Sequence, residues 1–170
     1  MILLDAVAQA CIESLRRGGK ILLAGNGGSA AQAQHMAAEL MGRFAFDRPG
    51  LPALALTDPC VITAIGNDYG FEHIFSRQVQ AHGEKGDVFI GFSTSGQSSN
   101  ILMAFVEARA CGLVCIGFTG NRGGPMRELC DHLIEIPSSE TPRIQEAHLE
   151  LSHRLCELVE AALFAPSPVP

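Results

Sequence analysis

"DVFIGFSTSGQSSNILMAFVEARA", residues 87–110, passes from an apolar run through a bend rich in hydroxyl groups into a helical pattern. A short apolar run bounded by turn residues is typical of a buried strand, and apolar residues at helical spacing follow it. Gly96 allows the chain to turn tightly between the two. The stretch therefore predicts a strand, a loop and a helix in succession, which is the repeating unit of an α/β fold.

The same alternation continues in both directions along the chain. Strands are predicted at "KILLAG" (20–25), "PALALT" (52–57), "DVFIGF" (87–92), "LVCIGF" (113–118) and "HLIEIP" (132–137). Helices are predicted at about 2–17, 28–42, 58–80, 97–110, 123–130 and 142–164. Right-handed crossovers between such strands give a five-stranded, mainly parallel sheet with helices on both faces, a doubly wound, flavodoxin-like three-layer sandwich. We expect one domain over residues 1–164 and a disordered tail, "APSPVP", over 165–170.

Composition excludes several classes of protein. The formal net charge of -6 and the pI near 5.4 disfavour a nucleic-acid surface, which needs a basic stripe. No apolar run reaches membrane-spanning length, and the N-terminus shows no signal-peptide pattern. The six cysteines contain no C-x-x-C pair and lie mostly in apolar segments, which predicts reduced, buried thiols. We therefore expect a cytoplasmic protein without a nucleic-acid or membrane partner.

The bend after the third predicted strand contains five hydroxyl residues. Hydroxyl groups and the N-terminus of the following helix together favour an anion, and a phosphate group fits best. The alternative is that these residues merely cap the helix, but one cap needs only one hydroxyl. The candidate phosphate ligands are Ser93, Thr94, Ser95 and Ser98.

A second loop, "AGNGGSAAQAQ" (24–34), follows the first predicted strand. Gly25, Gly27 and Gly28 allow the backbone to approach a ligand closely, and the loop also matches the dinucleotide pattern G-x-G-x-x-A. That match is weak, because the acidic residue required after the second strand is absent and Asp58 comes too late. The loop suits a sugar or a phosphate, unless the glycines serve only to make a tight turn.

His35 and Glu39 lie four residues apart on one face of the second predicted helix. This spacing can chelate a metal, although it is also common on solvated helices. The surrounding residues are mostly small or apolar, so we expect both side chains to be buried and to need partners. The last helix offers Gln145, Glu146, His148 and His153. Helical geometry does not choose among them, because Gln145 and His153 lie about 12 Å apart along the axis.

Five ordered motifs, which extend over nearly the whole chain, resemble the phosphoheptose isomerases of the sugar isomerase (SIS) domain superfamily. The motifs are "GNGGSAAQAQHMAAEL", "AIGNDYGFEHIFSRQV", "GDVFIGFSTSGQSSN", "FTGNRGG" and "TPRIQEAHLELSH". The resemblance implies an aldose-ketose isomerase that converts D-sedoheptulose 7-phosphate to D-glycero-D-manno-heptose 7-phosphate through an enediol. This is the first step towards the heptose precursors of lipopolysaccharide core or other glycans.

The resemblance also implies roles for individual residues. It implies a zinc site, one per subunit, at His35, Glu39, Gln145 and His153, with Glu39 and His153 as the catalytic acid/base pair. It implies substrate contacts at Asn26, Gly27, Gly28, Ser29, Glu39, Asn67, Asp68, Ser93, Thr94, Ser95, Ser98 and Gln145. Family members are homotetramers with active sites at subunit interfaces, and most have a further helical segment before the residues that match 3–23. We expect that difference to affect contacts between subunits.

The expected reaction moves a proton between C1 and C2 of the sugar. Glu39 is the predicted general base, and His153 is expected to serve the substrate oxygens. Tight binding to zinc would make either residue a poorer base, so ligation and proton transfer compete. His148 is expected to lie beside the site or on the surface, and His73, His82 and His132 are expected to have structural roles.

Two alternatives belong to other functional classes. One is a non-catalytic SIS scaffold that binds a replication initiator protein, but such relatives tend to lose the residues that match Glu39 and His153. The other is a sugar-phosphate sensor or nucleotide-binding domain, which rests on the glycine loop alone. The serine loop also has Gln97 where relatives usually carry asparagine, a substitution that we expect to be harmless.

Overall fold

Five parallel strands form the central sheet of the computed structural model, which describes residues 2–164. The strands run in the order β2-β1-β3-β4-β5, which is the doubly wound, flavodoxin-like order. Their registers align Ile21 with Val88 and Val88 with Val114. The strands are β1 (Ile21–Gly25), β2 (Ala53–Ala55), β3 (Val88–Ser93), β4 (Val114–Thr119) and β5 (His132–Glu135). The predicted fold class is confirmed, whereas the predicted tail at 165–170 lies outside the described residues.

Helices cover both faces of the sheet because alternate strand residues point to opposite sides. Ile21 and Leu23 face one hydrophobic cluster with α1 (Ile2–Arg16), α2 (Gly28–Met41) and α7 (Thr141–Phe164). Leu22 and Phe89 face the other cluster. The helices on that side are α3 (Pro59–Tyr69), α4 (Ser76–His82), α5 (Ser99–Ala110) and α6 (Met126–Leu129).

The predicted helix at 58–80 is not continuous. α3 ends at Tyr69, a 3₁₀ turn covers Phe71–His73, and α4 begins at Ser76. The break falls at Gly70, whose φ of 97° is incompatible with a right-handed helix. The predicted helix at 123–130 shrinks to the single turn of α6 for the same reason, since Gly123 and Gly124 both have positive φ.

The cysteines are all free, but only half of them are buried, so the prediction of buried thiols is partly wrong. Burial raises the pKa of Cys11, Cys115 and Cys156 to about 12, which keeps these thiols protonated at neutral pH. Cys60 is exposed at the start of α3. None of the helices in residues 2–164 combines the length and the apolar character that crossing a membrane requires.

Candidate active site

α2 and α7 lie against each other and bring together three of the predicted metal ligands. The Nε2 atoms of His35 and His153 are 2.7 Å apart, and His35 Nε2 is 3.4 Å from Glu39 Oε1. One ligand atom from each of the three residues falls within 4.8 Å of the others. The structure therefore selects His153 from the α7 candidates that spacing alone left open.

The cluster lies at the edge of the helix pair and not in its interior. The side chain of His35 is 44% exposed and that of Glu39 is 25% exposed, so the expected burial of both is wrong. The buried face of α2 consists of other residues, among them Ala33, Met36 and Ala37. The exposed face also contains small residues, among them Ala31 and Ala38, so a face with few charges is nevertheless open to solvent.

Gln145, the fourth predicted ligand, lies two turns before His153 on α7. Its carboxamide packs on the glycine loop, so that a Cβ atom added to Gly28 would lie 2.7 Å from Gln145 Nε2. The side chain of Gln32 donates to the backbone carbonyl of Gln145. Only glycine leaves room for this carboxamide, so Gln145 contacts the glycine loop directly.

The hydroxyls of the serine loop do not cap the N-terminus of α5. Ser98 occupies the N-cap position, but its hydroxyl makes no capping hydrogen bond. It lies 2.9 Å from the hydroxyl of Ser93, which is also 3.5 Å from that of Ser95. The hydroxyls are thus gathered together at the start of a twelve-residue helix, as an anion site requires. This geometry disfavours the simple capping alternative.

A polar cleft of about 210 Å³ adjoins the serine loop on the side of β4. The residues that complete it were not predicted as site residues, because they come from the loop after β4 and from the start of α7 with the loop before it. The lining residues are Thr94, Ser95, Gln97, Asn121, Arg122, Ser139, Thr141 and Ile144.

An ion pair fixes the segment that follows α2. Glu160 of α7 accepts hydrogen bonds from the N–H groups of Phe44 (2.8 Å) and Ala45 (2.7 Å) and from Arg48 Nε (2.9 Å). Burial alone would raise the pKa of Glu160, but the backbone N–H groups and Arg48 lower it below its usual value. The Phe44 ring in turn packs against His153, with 5.8 Å between ring centroids.

Arg48 also binds the end of α2. Its guanidinium donates to the carbonyls of Leu40 (2.6 Å) and Glu39 (2.9 Å). The side chains of Arg48 and Glu160 are 2% and 1% exposed. One buried ion pair therefore joins the helix that carries His35 and Glu39 to the helix that carries His153.

Comparison with known proteins assigns this arrangement to a family. The SIS domain family model matches residues 3–120. The chain is 69% identical over 159 residues to a phosphoheptose isomerase of Burkholderia pseudomallei, covering 93% of this chain and 81% of that protein. The chain belongs to the phosphoheptose isomerase family of SIS domains.

Other members of the phosphoheptose isomerase family agree in sequence and in fold. The enzyme of Aneurinibacillus thermoaerophilus is 59% identical, with 95% of this chain and 82% of that protein covered. The solved phosphoheptose isomerase of Neisseria gonorrhoeae superposes with a TM-score of 0.89 at 43% identity. That superposition covers 95% of this chain and 86% of the gonococcal chain, so the resemblance extends through α7.

Two residues predicted to bind substrate lie apart from the phosphoheptose isomerase site of this chain. Asn67 and Asp68 are exposed at the end of α3, where the Asn67 amide donates to Asp68 Oδ1 at 2.8 Å. Among residues 2–164, no hydrogen bond connects either one with the glycine loop or the serine loop. α3 packs on the face of the sheet opposite to α2 and α7, the helices that carry the histidine cluster.

His148 lies in the core of this phosphoheptose isomerase, contrary to the expectation of a nearby or surface residue. It has no exposed area and packs against both Phe92 and Phe118, with Nε2 3.3 Å from the Thr119 carbonyl oxygen. Burial lowers its pKa to about 4. The sequence does contain the signal, because His148 falls in the buried stripe of α7 with Ile144, Ser152, Leu155 and Val159.

Proposed function

We propose that this protein interconverts sedoheptulose 7-phosphate and D-glycero-D-manno-heptose 7-phosphate, as the first step of heptose precursor synthesis. The observation that supports this most strongly is the cluster of His35, Glu39 and His153, which α2 and α7 bring together. It occurs in a chain that is 69% identical to a phosphoheptose isomerase. The non-catalytic scaffold gains no support from these relatives, and the chain retains both Glu39 and His153.

The proposed chemistry is a proton transfer between adjacent carbons. Glu39 removes a proton from C1 of the ketose, which gives an enediol, and the proton is returned to C2 to form the aldose. His153 moves the accompanying proton between the two oxygens. The partial exposure of Glu39 leaves its carboxylate open to a substrate that binds beside the glycine loop.

The phosphate end of the substrate is assigned to the serine loop. The Ser93 hydroxyl lies 3.5 Å from the hydroxyl of Ser95 and 2.9 Å from that of Ser98. The N-terminus of α5 adds the positive end of a helix dipole. Thr94 and the glycine loop residues Asn26, Gly27, Gly28 and Ser29 complete the proposed contacts.

The donor set of the cluster fits zinc. Two imidazole nitrogens and one carboxylate oxygen are a common zinc-binding set. His35, Glu39 and His153 would hold the ion, and Gln145 is the proposed fourth ligand. When bound, zinc supplies a Lewis acid for the sugar oxygens.

Elemental analysis of the purified protein tests the zinc proposal. We expect about one zinc per chain, and we expect a chelator to lower the melting temperature, since a metal bound only by the folded state stabilises it. His35→Ala should abolish the chelator's effect, whereas the control His82→Ala, on the exposed end of α4, should keep it. An unchanged melting temperature on metal removal would contradict the zinc site.

A homotetramer is proposed from the exposure of α3. No residue of this helix is buried, and its exposed apolar side chains include Val61 and Tyr69, with Phe71 just beyond it. Contact with other copies of the chain would cover these residues and would bring Asn67 and Asp68 to a neighbouring subunit's site. Val61→Asp should dissociate the assembly in light scattering coupled to size-exclusion chromatography, while Glu107→Asp on α5 should not.

The decisive test of function is incubation of the purified protein with sedoheptulose 7-phosphate. Formation of the aldose, followed by NMR, is the expected result. No aldose from a zinc-loaded oligomer would reject the proposed reaction. We further propose that the enzyme acts in the cytoplasm, where sugar phosphates are available.

A further inference from the structure

Two asparagine side chains meet in the crevice between β1 and β3. Asn26 Nδ2 donates to Asn100 Oδ1 at 2.9 Å, and Asn100 Nδ2 donates to Asn26 Oδ1 at 2.8 Å. Asn26 directly follows β1 and starts the glycine loop, whereas Asn100 lies in the first turn of α5, after the serine loop. The pair therefore joins the two loops that are assigned to the sugar and to the phosphate.

The pair lies where the glycine loop and the serine loop meet, so it can position both loops. β1 and β3 are neighbours, but α2 leaves β1 towards one face of the sheet and α5 leaves β3 towards the other. Ligands of doubly wound sheets bind in the crevice where the helices diverge in this way. Within residues 2–164, this pair supplies the only side-chain hydrogen bonds between residues 26–28 and residues 93–100.

Asn100 and Asn26 differ in burial, and therefore in their access to a ligand. Asn100 is 2% exposed, so its carboxamide is not available to a ligand. Asn26 is partly buried, and one N–H and the carbonyl oxygen of its side chain are already bonded to Asn100. The neighbouring Gly27 and Gly28 are exposed and present the backbone of the loop.

We propose that Asn100 is a positioning residue for substrate binding. Its carboxamide holds Asn26, and thereby sets the separation between the glycine loop and the serine loop to suit one sugar phosphate. The side chain of Asn26 then acts on the substrate through the loop that it anchors. This inference rests on the proposed function, because it takes the sugar end and the phosphate end of one substrate to lie on these two loops.

The reciprocal bonding predicts a specific pattern of mutant effects. Removing either carboxamide breaks both hydrogen bonds at once, so the second removal has nothing left to break. Residues that act as such a unit give strongly non-additive effects. Loss of the pair should weaken binding of the whole substrate more than it slows the proton transfer at Glu39, which lies on another helix.

The test is a double-mutant cycle of Asn26→Ala, Asn100→Ala and both together. The affinity for sedoheptulose 7-phosphate is measured by calorimetry, kcat by aldose formation, and folding by the melting temperature. We expect each single variant to weaken binding roughly tenfold, and the double variant to be within about twofold of the singles. We expect kcat to fall by less than about threefold. Gln80→Ala, which removes an exposed carboxamide from α4, is the matched control and should bind normally.

Two results would overturn the proposal: unchanged affinity in a folded Asn100→Ala protein, or effects of the two single variants that multiply in the double variant. If Asn100→Ala does not fold, Asn100→Leu replaces it in the same cycle, because it fills a similar buried volume and breaks both hydrogen bonds. If the unmodified protein binds the sugar phosphate but forms no aldose, the proposed reaction fails while the affinities still test the pair.

Discussion

Glu39 has two proposed roles, metal ligand and general base, that compete with each other. It lies 3.4 Å from His35 as part of the candidate metal cluster, and it is also the proposed base. Its side chain is 25% exposed, so a substrate can reach the carboxylate. A carboxylate that binds only loosely to the metal could take the proton, and one bound tightly would be a poorer base.

Glu39→Gln distinguishes the role of Glu39 as a metal ligand from its role as the general base. The amide keeps the size of the side chain and one possible ligand oxygen, but it cannot accept a proton. Turnover should fall by roughly 10² to 10⁴, whereas substrate affinity should change little. Glu150→Gln, the same substitution at an exposed position of α7, is the control and should leave kcat unaltered. Full turnover by Glu39→Gln, measured as aldose formation, would assign the base to another residue.

Single residues were predictable only where the signal is local. The i, i+4 spacing of His35 and Glu39 is visible in the sequence, and their proximity is confirmed. His153 is 118 residues from His35, so spacing could not select it, and only the resemblance did. The pairing of Asn26 with Asn100 was not predictable from the sequence, because nothing distinguishes these two asparagines from other polar residues in or next to loops.

At the scale of elements, the geometry of the site depends on how α2 and α7 are held together. Arg48 binds the carbonyls at the end of α2, and Glu160 of α7 binds both Arg48 and the backbone of residues 44–46. Both charged side chains are almost fully buried. Breaking such a pair leaves an uncompensated charge in the interior, which costs more than the pair itself contributes.

Glu160→Ala should therefore reduce the free energy of unfolding by about 3 to 5 kcal/mol, because Arg48 and three N–H groups lose their acceptor. Chemical denaturation measures the change. Glu157→Ala, which breaks an exposed pair with Arg154 one turn earlier on α7, should cost less than about 1 kcal/mol. Equal losses in the two variants would show that the buried pair does not join the helices as described.

Element types were more predictable than element ends. The strands were recognisable as apolar runs, and all five are present at the predicted positions. The long helix predicted at 58–80 failed because apolar periodicity continues across Gly70, while the backbone does not. A glycine is compatible with a helix interior at a modest cost, so its presence alone does not reveal a left-handed conformation.

At the scale of the whole molecule, one sheet face contains a titratable group that the site does not use. The ring of His148 contacts Phe92, Phe118 and the carbonyl of Thr119, and burial lowers its pKa from 6.5 to about 4. The unfolded chain therefore takes up a proton near pH 6.5, while the folded chain resists protonation until about pH 4. Stability is full above the unfolded pKa and falls as the pH decreases through this window.

For metal-free protein, the free energy of unfolding should include a loss of about 2 kcal/mol between pH 8 and pH 5 that His148→Leu removes. The Thr119 carbonyl keeps its bond from the Ile136 N–H in that variant, so no acceptor is left alone. Urea denaturation at the two pH values measures the difference. His82→Leu, which removes an exposed histidine, is the control and should retain the loss. An identical pH dependence in His148→Leu and the unmodified protein would contradict the assignment.

The packing of α1 against α7 also constrains how the protein is made. Ribosomes add roughly 5 to 20 residues per second, so α7 follows β1 by roughly 6 to 23 seconds. Until then the nascent chain lacks Leu155, Cys156 and Val159, which belong to the same hydrophobic cluster as Ile21 and Leu23, so it offers an apolar surface to chaperones. His153 is also among the late residues, so the cluster with His35 cannot form during most of translation. Binding of the proposed metal would consequently follow synthesis of α7.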